Sequence, residues 1–126
     1  MLILVVEPGK VPYTKEINGT LEEMQQIVGG YIQAIYPFPD EVALICNEEG
    51  KLAGLPLNRS LRNENGQIYE IIAGTFFVCG APSGGDSFVG LPPERAELYK
   101  RWFCLPEVFL EVNGGTVSLP VEENDK

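Results

Sequence analysis

An α+β fold with a mainly antiparallel sheet is what this sequence predicts, and three observations carry the expectation. Short apolar or alternating runs dominate the chain. Two segments with helical spacing stand among them, one after the first pair of runs and one near the C-terminus, so strands and helices are segregated. The length of 126 residues, 44% of them apolar, suits one domain with one core. Residues 1–110 read as that single domain, and residues 111–126 as a C-terminal extension that is partly flexible.

Taken in order, “LILVVEPGK” is an apolar strand stopped by Pro8 and Gly9, and “VPYTKEI” is the strand that pairs back on it. In “NGTLEEMQQIVGG”, Thr20 and Glu23 form a capping box at a helix start. Leu21, Met24, Ile27 and Val28 then fall on one helical face. Gly29 and Gly30 follow the last periodic residue, where a left-handed cap needs a residue without a Cβ. A helix C-terminus carries partial negative charge, so this glycine pair reads as a helix stop and not as a phosphate cradle.

“YIQAIYPF” and “EVALIC” read as two strands joined around residues 37–40, and “CNEEGKL” as a hairpin with Gly50 at positive φ. “NRSLRNENG” reads as polar and turn-rich. “QIYEIIAGTFFVCG” reads as a long or bent strand, with Gly74 marking a bulge or a close contact. “LPPERAELYKRWF” opens with prolines and ends with Lys100 and Arg101, as a helix does. Ala96, Leu98, Tyr99, Trp102 and Phe103 form its apolar stripe. The tail adds a short strand.

Composition excludes more than it assigns. The formal charge is −9, with nine acids in residues 1–65 and nine in 66–126, which disfavours direct nucleic-acid binding. Histidine is absent, which removes the commonest general base and metal ligand. Cys46, Cys79 and Cys104 are scattered without a CxxC pair, so they read as buried small hydrophobes and no metal or cofactor is expected. No apolar run reaches the ~20 residues of a membrane span, and “MLILVV” lacks a basic leader, so a cytoplasmic protein is expected. No Walker loop, nucleophile elbow or dinucleotide fingerprint is present, and no enzyme activity is expected.

“VVEPGK”, “LEEMQQIVGGYI”, “ALICNEEGKLAGLPLNR” and “IIAGTFFVCG” together resemble domain-of-unknown-function family 3846, found on plasmids, conjugative elements and phages of Gram-positive bacteria. The resemblance covers residues 1 to 104. It implies a small α+β protein of mobile DNA and no established activity. Gln33 stands where that family usually has a glutamate after “GGYI”, so any role of that acid is not carried over.

The residues that invite a ligand are few. Asn58, Arg59 and Arg62 in “PLNRSLR” place two guanidinium forks and an amide together in an acidic chain, a combination suited to carboxylate or phosphate. Convergence of the two arginines requires “LNRSLR” to curl into a turn or short helix, since residues three apart face opposite sides of a strand. Asn47 opens “NEEGK”, where Glu48, Glu49 and Lys51 form a charged tip. Thr75 offers a hydroxyl beside Gly74. The aromatics are expected mostly in the core, with Tyr31 or Tyr36 left to line a stacking surface. The ligand-binding set is thus Asn58, Arg59, Arg62, Tyr31, Thr75 and Asn47. The expected function is a non-enzymatic binding protein of a phage or mobile element that sequesters a small anionic, nucleotide-like defence signal. The alternative is an acidic interaction protein or DNA mimic that blocks a host DNA-binding or defence protein. Partners under these readings are the small anion, the host protein and, in a homo-oligomer, a second copy; membranes are not among them.

Overall fold

In chain order the elements are β1 (Leu2–Val6), β2 (Tyr13–Glu16), α1 (Leu21–Val28), β3 (Ile32–Ile35), β4 (Val42–Asn47), β5 (Leu57–Arg62), β6 (Ile68–Ala73), β7 (Phe76–Gly80), α2 (Pro93–Trp102), β8 (Glu107–Val112) and β9 (Gly115–Pro120). They belong to a computed structural model that describes residues 1–121. Five strands form one antiparallel sheet in the order β2-β1-β7-β4-β3. β5 pairs with β6, and β8 with β9, as two-stranded hairpins. The α+β architecture is as expected, with the first helix after the first hairpin and the second towards the C-terminus.

The continuous apolar runs of β1, β4 and β7 have a physical reason: these inner strands are covered on both faces. Ile3, Val5, Ala43, Ile45, Phe77 and Cys79 share one cluster with Met24 and Val28 of α1. Leu4, Val6, Leu44, Cys46, Phe76 and Val78 face the other way. There they meet Leu61 and Ile72 of the β5–β6 hairpin and Ala96, Tyr99 and Phe103 around α2. Phe38 completes this side, its ring 4.4 Å from that of Tyr99.

Local signals explain the ends of α1. The Thr20 hydroxyl accepts the Glu23 N–H at 3.2 Å, and the Glu23 carboxylate accepts from Asn18 and Gly19. Gly29 closes the helix at φ 80°, donating to Gln25 O at 2.8 Å.

Several expectations are corrected. “CNEEGKL” is not a hairpin, because β4 pairs with β3 and β7 while β5 pairs with β6; the segment crosses from one sheet to the other. Gly50 has no positive φ; a Cβ there would meet Ala73 O at 2.6 Å, so close approach is its reason. “NRSLR” is strand, and only “NENG” is turn. Gly74, at φ 85°, breaks the long run into β6 and β7 and sends the chain from the small sheet back to the large one. Cys104 and Tyr69 are exposed, not core, and Tyr31 and Tyr36 are both exposed where one of the two is expected to be. The tail forms two strands, so residue 111 falls inside β8; residues 122–126 lie outside the described residues.

Replacing Gly29 by Val forces a Cβ-branched residue into a left-handed conformation and should cost about 1 kcal/mol or more in urea unfolding, whereas Asn there should cost less. Equal stabilities for the Val and wild-type chains would contradict the cap.

Candidate functional site

The arginine group does not form a receptor. Asn58 and Arg59 are both fully buried, at 0% exposure. A register shift between Leu57 and Arg59 marks a bulge in β5 at this point. Asn58 Nδ2 donates to Val6 O at 2.9 Å and to Gly74 O at 2.8 Å. Arg59 Nε and Nη2 both donate to Phe103 O, Nη2 also to Lys10 O at 2.7 Å, and Nη1 to Asn58 Oδ1 and O. These five bonds use the five N–H groups that a guanidinium has. Burial pulls the Arg59 pKa below its ordinary value, and the nearby Glu107 opposes that shift. Phe103 closes α2, so the guanidinium sits at the negative end of a helix.

Arg62 is exposed and donates to Gly66 O in the turn of its own hairpin. The expected curl of “LNRSLR” is replaced by a strand, and Arg59 and Arg62 do not converge. Asn58 to Leu61 are all buried, and most of the groups that bond Asn58 and Arg59 lie far away in sequence. Such partners are invisible locally.

Thr75 lines a separate small cleft of about 160 Å³ with Glu7, Tyr13 and Lys15. The Tyr13 hydroxyl donates to Glu7 Oε2 at 2.6 Å, which pushes the Tyr13 pKa up to about 12 and draws the Glu7 carboxyl down.

Tyr31 and Asn47 do come together. They line a cleft of about 360 Å³ beside Gly29 and Gly30 at the end of α1, with Glu48 and Glu49 on its rim. Asn47 Nδ2 donates to Val28 O at 3.1 Å and its Oδ1 accepts from the Glu49 N–H, so the amide holds the helix end against the start of the crossover. A Cβ on Gly30 would meet that Nδ2 at 2.7 Å. On the other side of Glu48 and Glu49 lies a second cleft of about 190 Å³, between β3–β4 and β6, containing Gln33, Cys46 and the Lys51–Glu70 ion pair. Burial pushes the Cys46 thiol up to about 11, which disfavours its thiolate at neutral pH.

These clefts flank β3, the end strand of the large sheet. Tyr31 O accepts the Glu48 N–H, so Tyr31, Gln33 and Ile35 turn their peptide groups towards β4. Ile32 and Ala34 therefore turn theirs outward, and among the described residues no strand lies beyond them. Tyr31 and Tyr36, 71% and 64% exposed, bracket this edge. Glu48 and Glu49 stand by Tyr31, and Asp40, Glu41 and Asp86 line a hollow with Tyr36.

Residues 1–104 match the family model described as “Domain of unknown function (DUF3846)”, and the chain belongs to that family. No curated protein and no solved structure matches it. No helix among the described residues is long and apolar enough to cross a membrane.

Removing Arg59 leaves Phe103 O, Lys10 O and Asn58 Oδ1 without their donor. Arg59→Ala should therefore destabilise by about 3 kcal/mol or more in urea unfolding, while the exposed Arg62→Ala stays within about 0.5 kcal/mol. Equal effects of the two would place Arg59 outside the scaffold. Tyr13 supplies a pH dependence. Its folded pKa of about 12 lies above the reference value of 10.0, so its stabilising contribution is complete below that reference and is lost as pH rises through the folded value. Wild type should lose more stability than Tyr13→Phe across that window, measured by unfolding at alkaline pH.

Proposed function

We propose that this chain is a non-enzymatic binding protein that takes an extended, basic segment of another protein as an added strand along β3. The observation that carries the reading is the edge itself. It offers the outward peptide groups of Ile32 and Ala34 for a ladder, with an exposed tyrosine and carboxylates at each end. Main-chain pairing supplies affinity in such a mode, and the flanking side chains supply choice of partner. Tyrosine is enriched where interfaces draw their binding energy, and the carboxylates favour lysine or arginine on the incoming strand.

Capture of a small anion asks for free donors at a cleft. Asn58 and Arg59 are committed inside the protein, and both clefts beside β3 carry Glu48 and Glu49 at their mouths. The interaction reading is therefore preferred over the anion-sequestering one. For a chain that resembles proteins of plasmids and phages, a host defence or DNA-binding protein is the partner class this reading names.

Ala34→Pro removes an outward N–H from an edge strand, a position where proline is tolerated. Its melting temperature should stay within a few degrees of wild type, while proteins captured by the wild-type chain from a bacterial lysate should be lost. Glu48→Lys with Glu49→Lys should weaken the same capture by about tenfold and flatten its salt dependence. Capture indifferent to Ala34→Pro, or saturable calorimetric binding of a nucleotide by the wild-type chain, would overturn the reading.

A further inference from the structure

The C-terminal hairpin has two unlike faces. Glu107, Phe109 and Ser118 turn towards the body of the protein. Glu107 accepts the Ser60 N–H at 3.1 Å and the hydroxyls of Ser60 and Ser118. The opposite face carries Val108, Leu110, Val112, Val117, Leu119 and Val121, each between 40% and 49% exposed. Strand alternation puts the five within β8 and β9 on one side, and Val121 follows directly after β9. No charged residue interrupts them, although the chain carries −9. A stripe of this kind on a two-stranded hairpin marks an association surface, because such hairpins are marginal alone.

We infer that this stripe is a homodimer interface, in which the hairpins of two copies stack face to face. The register is the reason a second copy fits. Val108 lies opposite Leu119, and Leu110 opposite Val117, so large and small side chains form a checkerboard. A two-fold axis in the plane of the interface and parallel to the strands sets Leu110 of one copy over Val117 of the other, and Val108 over Leu119. An in-plane axis across the strands sets Leu110 over Val108 and Leu119 over Val117. Either axis places large on small, the condition for two layers to interdigitate. A partner of opposite charge gains nothing from this face, since it bears no charge to meet. Residues 122–126, “EENDK”, are polar.

Six half-exposed side chains make a small patch against the ~800 Å² per partner of a standard interface, so the dimer is a weak one. The two subunits carry like charge, so added salt tightens it. This surface is separate from β3, and the inference stands whether or not β3 takes a strand.

Sedimentation equilibrium of the full chain tests it. The expected mass rises with concentration from 13.9 kDa to twice that value, and the dimer tightens between about 50 mM and about 500 mM salt. L110E should raise the dimer dissociation constant by at least about tenfold by burying a charge. T116K, on the other face of the hairpin, should leave the dimer intact and shows that the hairpin tolerates charge where the stripe does not. Mixing L110E chains with V117K chains restores the dimer if the axis runs along the strands, and mixing with V108K restores it if the axis runs across them. A wild-type chain that stays monomeric at about 1 mM, or that instead binds a different protein through this face, overturns the proposal. So does an L110E chain that dimerises like wild type, or a failure of both mixtures.

Discussion

A single buried guanidinium ties together, by directed hydrogen bonds, parts of the chain that lie far apart in sequence. Arg59 reaches from β5 to the last turn of α2 through Phe103 O and to the β1–β2 turn through Lys10 O. Its neighbour Asn58 bonds the end of β1 and the Gly74 joint between β6 and β7. The charge has no carboxylate within ion-pair distance among the described ion pairs, and backbone carbonyls and the helix terminus balance it instead. This arrangement tolerates little change, because each carbonyl is directed at a donor that only a planar fork supplies. It also fixes where α2 lies on the sheet, and hence which apolar residues Phe76 and Phe38 meet.

What was legible in the sequence follows from distance along the chain. The helix α1 was readable at both ends, since Thr20, Glu23 and Gly29 act on groups a few residues away. The inner strands were readable because two-sided burial leaves an uninterrupted apolar run. The role of “PLNRSLR” was not. Its polar residues look like a surface turn because most polar residues are solvated, and their backbone partners Val6, Gly74, Phe103 and Lys10 stand 16 to 52 residues away. Of the six expected ligand-binding residues, only Tyr31 and Asn47 share a cleft. Asn47 has the geometry of a helix-end tether. The tyrosines at the ends of β3 became informative only with the sheet order, which shows that nothing follows that strand among the described residues.

The two edges of the large sheet are unlike. β2 carries Lys15 and Glu16, and charge on an edge discourages unintended pairing. β3 carries none: Ile32, Gln33, Ala34 and Ile35. Its side chains are anchored on both faces, with Ile32 and Ala34 against the α1 cluster and Ile35 against the α2 cluster. A strand so held is a rigid template rather than a frayed end. Under the proposed function, carboxylates near both ends would repel acidic strands while favouring basic ones.

The end of the family match falls at residue 104, one residue after the carbonyl that binds Arg59. The matched segment thus includes the whole Asn58–Arg59 network and both hairpins of the large sheet. It stops short of Glu107, the carboxylate that satisfies Ser60 on the outer side of β5. Ser60 N–H points away from the β5–β6 ladder and needs an acceptor, and Glu107 supplies one while drawing Ser118 in beside it. The C-terminal hairpin is therefore latched to the domain by one polar cluster on its inner face, with Phe109 partly buried beside it. Its outer face has no comparable partner within the described chain. A latch of this kind sets the orientation of the hairpin without consuming its apolar surface, so the aliphatic stripe is presented at a defined angle instead of collapsing onto the sheet.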